Sequence, residues 1–148
     1  MVGRDVAVQG SLLLRDLLDD EPTTAETIEI PLELIDAPTL QRCVEHMNYR
    51  FNNRMRPLSK PLKGPLGSLL DQQDQNFTAS WDEETTILTV KAACFLNDIE
   101  LKDLASAKLA QFLIDKSIEE IRMMLGVEGD FTEEEEVALR KEHGLQNP

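Results

Sequence analysis

The sequence predicts a helix-rich α+β fold with a small sheet and two short helices at its C-terminal end. Apolar residues recur at helical spacing over most of the 148 residues. Only residues 27–30 show the alternation of a strand. Near the C-terminus, Ser117 and Thr132 each begin a helix-start signal, followed by a helical apolar stripe. These three observations together favour helices around a minimal sheet.

The first predicted elements are a capped helix and a strand. Ser11 stands directly before the apolar run of residues 12–18, which predicts a short, buried helix with Ser11 as its N-cap. Further on, Ile28 and Ile30 fall on one face of an alternating segment that Pro31 ends. This pattern predicts a short strand near the edge of a sheet.

A longer amphipathic helix is predicted to begin at Asp36. Asp36 is a good N-cap, and Pro38 falls in the first turn, where its missing N–H costs little. The helix should end near residues 52–53. One face of it carries the apolar residues Leu40, Cys43, Val44, Met47 and Phe51.

Residues 52–76 are predicted to be a linker or a long surface loop. Pro57, Pro61 and Pro65 recur every four residues, which precludes a helix there. The basic residues in and just before this segment either pair with acidic residues on the chain's own surface or form a contact patch. They are Arg50, Arg54, Arg56, Lys60 and Lys63.

Two further long helices precede the terminal pair. Residues 86–96 are apolar on most faces, which predicts a central buried helix. A turn at residues 97–98 separates it from an amphipathic helix. The two terminal helices are too short to hold a core alone, so they must dock on the preceding domain or receive a partner. They carry Ile121, Met124, Leu125, Val127, Phe131, Val137 and Leu139.

Composition restricts the kind of protein. The formal net charge of −13 argues against general binding to nucleic acid or to anionic lipid. Cys43 and Cys94 each fall inside an apolar helical pattern, which predicts buried, reduced thiols. The start of the chain lacks the apolar run of a signal peptide, and no stretch is apolar enough to cross a membrane. We therefore expect a protein of the cytoplasm and the nucleus.

Catalytic, cofactor and metal sites are not predicted. Cys43 and His46 stand at helical spacing, but two ligands are too few for zinc. The acidic residues 130–136 lack the ligand spacing of a calcium loop, and as helix-start residues they complement the helix dipole. We therefore expect that the chain is not an enzyme.

Several sequence blocks in this order resemble the S-phase-kinase-associated adaptor family, the small acidic subunit of SCF ubiquitin ligases. The resemblance is strongest over residues 74–142. Its blocks are residues 74–77 (DQNF), 92–96 (AACFL), 101–104 (LKDL), 119–122 (EEIR), 130–136 (DFTEEEE) and 140–142 (RKE). Elongin C is a more distant relative that lacks the extension at residues 132–142.

The resemblance implies a BTB/POZ-type domain over residues 1–114 and a C-terminal helical extension over residues 115–148. It implies a heteromeric complex in which the extension binds an F-box protein, and in which Cys94 and Phe95 face a cullin. The resemblance implies that F-box contacts come from Leu101, Leu109, Phe112, Ile121, Met124, Leu125, Val127, Phe131, Val137 and Leu145.

The chain also departs from the family pattern. Cys94 replaces a usual asparagine, Leu145 replaces a usual tryptophan, and the long loop is basic where the family's is acidic. The N-terminal β-hairpin of the family is not expected here, either because the start is truncated or because the sheet is reduced, and residues 6–8 supply at most one strand. These departures leave an alternative function, in which a divergent relative holds an F-box-like partner in another complex without a cullin.

Overall fold

The computed structural model describes residues 1–20, 27–129 and 131–144. These residues form helices joined by turns and irregular segments. The helices are α1 (Arg4–Gly10), α2 (Leu12–Asp19), α3 (Ala37–Asn52), α4 (Leu66–Leu69), α5 (Gln72–Thr78), α6 (Glu83–Leu96), α7 (Ile99–Leu113), α8 (Ile118–Leu125) and α9 (Glu133–Glu142).

The predicted sheet is wrong for the part of the chain that the structure describes, where every regular element is a helix. Residues 27–30 are irregular, and residues 6–8 lie within α1 instead of forming a strand beside them. A strand is stable only when a second strand satisfies its backbone groups, and the described residues provide none. Ile28 and Ile30 nevertheless pack against the core, so the alternating pattern correctly identified the inward-facing residues.

The chain divides into two compact units, Met1–Ile114 and Asp115–Pro148. The first unit, called here the core unit, contains α1 to α7 and the hydrophobic core. The second, called here the terminal unit, contains α8 and α9.

Helix α6 lies at the centre of the core unit and packs against α2, α3 and α7. Ala93 and Leu96 of α6 are fully buried, as are Leu101 and Ala105 of α7. Helix α1 approaches α3 closely at Gly10, where an added Cβ would lie 2.7 Å from the Cγ atom of Met47. The sequence-based prediction of a central buried helix is therefore confirmed.

The predicted helix starts of the core unit are also confirmed. The Ser11 hydroxyl accepts a hydrogen bond from the Leu14 amide at 3.1 Å and caps α2. The Asp36 carboxylate accepts one from the Thr39 amide at 2.8 Å and caps α3. Asn97 adopts the left-handed conformation, with φ of 51°, and forms the predicted turn between α6 and α7.

The segment predicted to be a loop at residues 52–76 is partly helical. Its proline-rich part, up to Pro65, is irregular as expected, but α4 begins at Leu66 and α5 at Gln72. The Asp71 carboxylate caps α5 by accepting from the Asp74 amide at 2.8 Å. The irregular segment that the prolines predict therefore ends at Pro65, and short helices follow it.

Within the described residues, no helix combines the length and the apolar character that a membrane span needs.

Candidate partner-binding site

Helix α8 opens the terminal unit with a complete capping box. The Ser117 hydroxyl accepts from the Glu120 amide at 3.2 Å, and the Glu120 carboxylate accepts from the Ser117 amide at 2.8 Å. Gly126 ends the helix with φ of 63°, a left-handed conformation that glycine adopts without strain. The backbone bonds to Ser117 hold the pKa of the Glu120 carboxyl below its usual value.

Helix α9 begins in the same way. The Thr132 hydroxyl accepts from the Glu135 amide at 3.3 Å, and the Glu135 carboxylate accepts from the Thr132 amide at 2.9 Å. This contact lowers the pKa of Glu135. Arg140 and Lys141 in the last turn complement the negative end of the helix dipole. Both predicted capping boxes are thus confirmed.

Two ion pairs connect α8 to α9 within the terminal unit. Arg122 pairs with Glu136, and Arg140 lies 3.2 Å from a carboxylate oxygen of Glu119. The Arg122 guanidinium also lies 3.5 Å from the position that a Cβ on Gly129 would occupy. Polar contacts therefore tie the two helices together.

Apolar side chains of the terminal unit remain at the surface. None of its described residues is buried, although α8 and α9 are only 8 and 10 residues long. Leu125 is 43% exposed, and Val127, Phe131 and Val137 are each more than half exposed. Short helices in water depend on burying an apolar face, so this unit needs a partner surface to complete it.

The predicted F-box contacts fall into different environments. Ile121 and Met124 of α8 are half-buried. In the core unit, Leu109 and Phe112 of α7 are half-buried, whereas Leu101 is fully buried and contributes to the core. Leu145 lies outside the described residues.

The two predicted cullin-facing residues are both exposed near the end of α6. Phe95 is 41% exposed, and the Cys94 thiol is free and exposed. Phe95 borders a depression of about 220 Å³ that is also lined by Leu34, Leu88 and Ala92. The depression gives the core unit an apolar surface of its own.

Sequence reasoning missed some exposed apolar residues of these two surfaces. Met123, beside the predicted Met124, is 80% exposed. Leu88 is 36% exposed and precedes Phe95 by seven residues, and the buried Ala92 precedes it by three, which is the spacing of one helix face. From that spacing, the sequence alone could have predicted that Leu88 lies on the same surface as Phe95.

Cys43 is buried as predicted, whereas Cys94 is exposed, contrary to the sequence-based prediction. Burial of Cys43 raises the pKa of its thiol to about 12, with the nearby Asp98 carboxylate adding to the effect. Among the described residues, no group of three histidine, cysteine or acidic side chains is placed to hold a metal ion.

Comparison with known proteins finds relatives over most of the chain. The Skp1 family, dimerisation domain, matches residues 100–145. A protein of Aspergillus terreus named E3 ubiquitin ligase complex SCF subunit sconC is 31% identical over 96% of this chain and 86% of its own length. The S-phase kinase-associated protein 1 homolog of Tetrahymena thermophila is 30% identical over 90% of this chain and 79% of its own.

A plant relative is similar to a shorter part of the chain. SKP1-like protein 18 of Arabidopsis thaliana is 33% identical over 77% of this chain and 70% of its own length. Exposed apolar side chains on short helices are typical of a protein-interaction subunit. The similarity extends through both units, and the chain belongs to the Skp1 family.

Proposed function

We propose that this chain is a non-catalytic adaptor of an SCF E3 ubiquitin ligase, linking F-box substrate receptors to a cullin–RING module. The names of its relatives in a fungus and a ciliate support this role. The adaptor carries out no reaction itself. Its activity consists of holding two proteins together so that the ligase ubiquitinates the bound substrate.

The observation that carries the proposal is that no described residue of the terminal unit is buried. Its helix ends are capped and its helices are joined by ion pairs, so its backbone is formed while its apolar side chains stay in water. An F-box helix laid on Leu125, Val127 and Phe131 would bury these side chains. Full burial of one such side chain contributes about 1.5–3 kcal/mol.

The cullin contact is assigned to the surface around Phe95 in the core unit. The aromatic ring borders an apolar depression, and aromatic residues commonly act as anchors in protein interfaces. Cys94 is exposed beside it and supplies no strong hydrogen-bond donor, so apolar contact dominates here. We also propose that the protein acts in the cytoplasm and the nucleus.

Affinity purification of the full chain followed by mass spectrometry tests this function. Recovery of several different F-box proteins together with a cullin is the expected result. A single constant partner without a cullin would instead identify a structural subunit of another complex and would overturn the proposal.

A further inference from the structure

A second site lies in the core unit, where residues at the α1–α2 junction, the end of α3 and the start of α7 enclose a cavity of about 290 Å³. Phe95 does not line this cavity, and every residue that does lies outside the terminal unit. Its lining includes the ionisable side chains of His46, Arg50, Arg54, Asp98 and Arg15.

Three of these side chains are buried with polar atoms that lack a hydrogen-bond partner among the described residues. His46 is 2% exposed, and neither ring nitrogen is bonded. The Nε atom of Arg50 and the Oδ2 atom of Asp98 are also unbonded, although both residues are buried. Buried polar groups without partners are costly and rare, so groups that line a cavity in this state are available to bond whatever molecule occupies it.

Each acidic group of the cavity has a donor of the chain itself nearby. Asp98 Oδ1 accepts from the Leu101 amide at 3.0 Å, and its Oδ2 lies 3.8 Å from Nδ1 of His46. Glu100 accepts from the Met55 amide at 3.3 Å. The Nε–H of Arg50 and the N–H of the His46 ring have no acceptor within hydrogen-bond distance among the described residues, which favours a ligand that brings acceptor oxygens to them.

Arg50 is fixed in place by the acids on its other side. Its Nη atoms contact Asp74 and the Asp71 carboxylate, the latter at 3.4 Å, while its Nε atom stays unused. Burial raises the pKa of the Asp74 carboxyl, and the Arg50 charge opposes that rise. These contacts hold the guanidinium in one orientation, which prepares it to bind a ligand.

Basic residues surround the entrance. Arg15 and Arg54 are exposed at the edge of the cavity, and Arg54 forms no ion pair with a described residue. The sequence carries no acidic residue between Glu45 and Asp71, although the chain has a net charge of −13. The loop after α3 thus forms a locally positive surface on an acidic protein, which attracts anions.

We propose that this cavity binds the oxyanion group of a partner's acidic peptide, with Arg54 and Arg15 at its edge and Arg50 and His46 within it. The cavity volume fits one side chain, while the basic loop outside it contacts the adjacent peptide backbone and charges. A glutamate carboxylate and a phosphoserine present the same kind of acceptor oxygens, so the site recognises the group that both share.

The test uses the full chain and three fluorescent peptides of one sequence, with glutamate, phosphoserine or glutamine at the central position. Fluorescence anisotropy at physiological salt measures binding. The glutamate or the phosphoserine peptide should bind, and whichever binds identifies the source of the oxyanion. The glutamine peptide should bind at least about tenfold more weakly, as expected for loss of a charge-assisted contact.

The variants Arg54→Gln and Arg56→Gln remove the same charge from the same loop, but only Arg54 lines the cavity. Arg54→Gln should weaken binding about tenfold, while Arg56→Gln should change it by less than about threefold. Peptide addition should also shift the imidazole NMR signals of His46 in the wild-type chain. Equal losses in both variants, unchanged His46 signals or absence of binding by both anionic peptides would overturn the proposal.

Discussion

The Ser11 hydroxyl donates a hydrogen bond to the carbonyl oxygen of Leu96 at 2.5 Å, across 85 residues of sequence. The same hydroxyl caps α2 by accepting from the Leu14 amide. One buried side chain therefore joins the start of α2 to the end of α6, next to the turn that follows Phe95.

Replacement of Ser11 by alanine should destabilise the core unit by about 2 kcal/mol, because it removes a helix cap and leaves a buried carbonyl without its partner. Urea unfolding followed by circular dichroism measures the change. Ser106→Ala, at an exposed position within α7, is the control and should change stability by less than about 0.5 kcal/mol. Equal midpoints for the two variants would contradict the role given to Ser11.

The two cysteines should differ in reactivity. The Cys94 thiol is exposed, whereas burial raises the pKa of Cys43 to about 12 and denies reagents access to it. Reaction of the native chain with iodoacetamide at pH 8 should label Cys94 alone, and labelling after denaturation should reach both. Mass spectrometry counts the added groups. Rapid labelling of Cys43 in the native chain would show that the core around it opens.

The capping boxes of the terminal unit should make its helicity pH-dependent. The folded pKa values of Glu120 and Glu135 lie below their usual 4.5, so these carboxylates stabilise the helices above about pH 4.5. That contribution is lost as the pH falls through the lowered folded values.

A double variant, Glu120→Gln and Glu135→Gln, removes the titration while keeping side chains that accept hydrogen bonds. Circular dichroism should show the wild type more helical than the variant at pH 7 and the difference shrinking as the pH is lowered below about 4.5. A difference that stays constant over this range would contradict the assignment.

The surface around Phe95 should act independently of the terminal unit. Phe95→Asp places a charge on the apolar depression and should weaken cullin binding at least about tenfold, since an interface anchor commonly contributes more than 2 kcal/mol. Binding of an F-box protein to the same variant should remain within about twofold of wild type. Surface plasmon resonance with each partner in turn measures both. Unchanged cullin affinity would exclude Phe95 from that contact.

Helix starts and the position of the central helix could be predicted from the sequence because capping is a local interaction. A helix start is signalled by a few neighbouring residues, as in the pair Ser117 and Glu120 and the pair Asp36 and Pro38. The strand prediction failed because strand formation depends on a distant partner, which the local alternation of Ile28 and Ile30 does not reveal.

The polar residues of the core could not be predicted either. The sequence stripe of α3 named apolar residues, yet the structure also buries His46 and Arg50. Charged residues are normally expected at the surface, and the burial of Arg50 here depends on an acid from another helix, Asp74. The local sequence likewise could not predict which apolar residues are exposed at the candidate partner-binding site. Leu104 and Leu125 both follow a helical apolar pattern, but only Leu104 is buried.

The exposed apolar residues of the terminal unit should bind the F-box. Leu125→Asp tests it most directly, with Leu17→Asp as a matched control, because the two leucines are 43% and 44% exposed and lie in different units. Isothermal titration calorimetry with a purified F-box protein should show at least about a hundredfold weaker binding for Leu125→Asp, with circular dichroism unchanged. Leu17→Asp should bind within about threefold of wild type. Normal binding by a folded Leu125→Asp variant, or equal losses in both variants, would contradict the account.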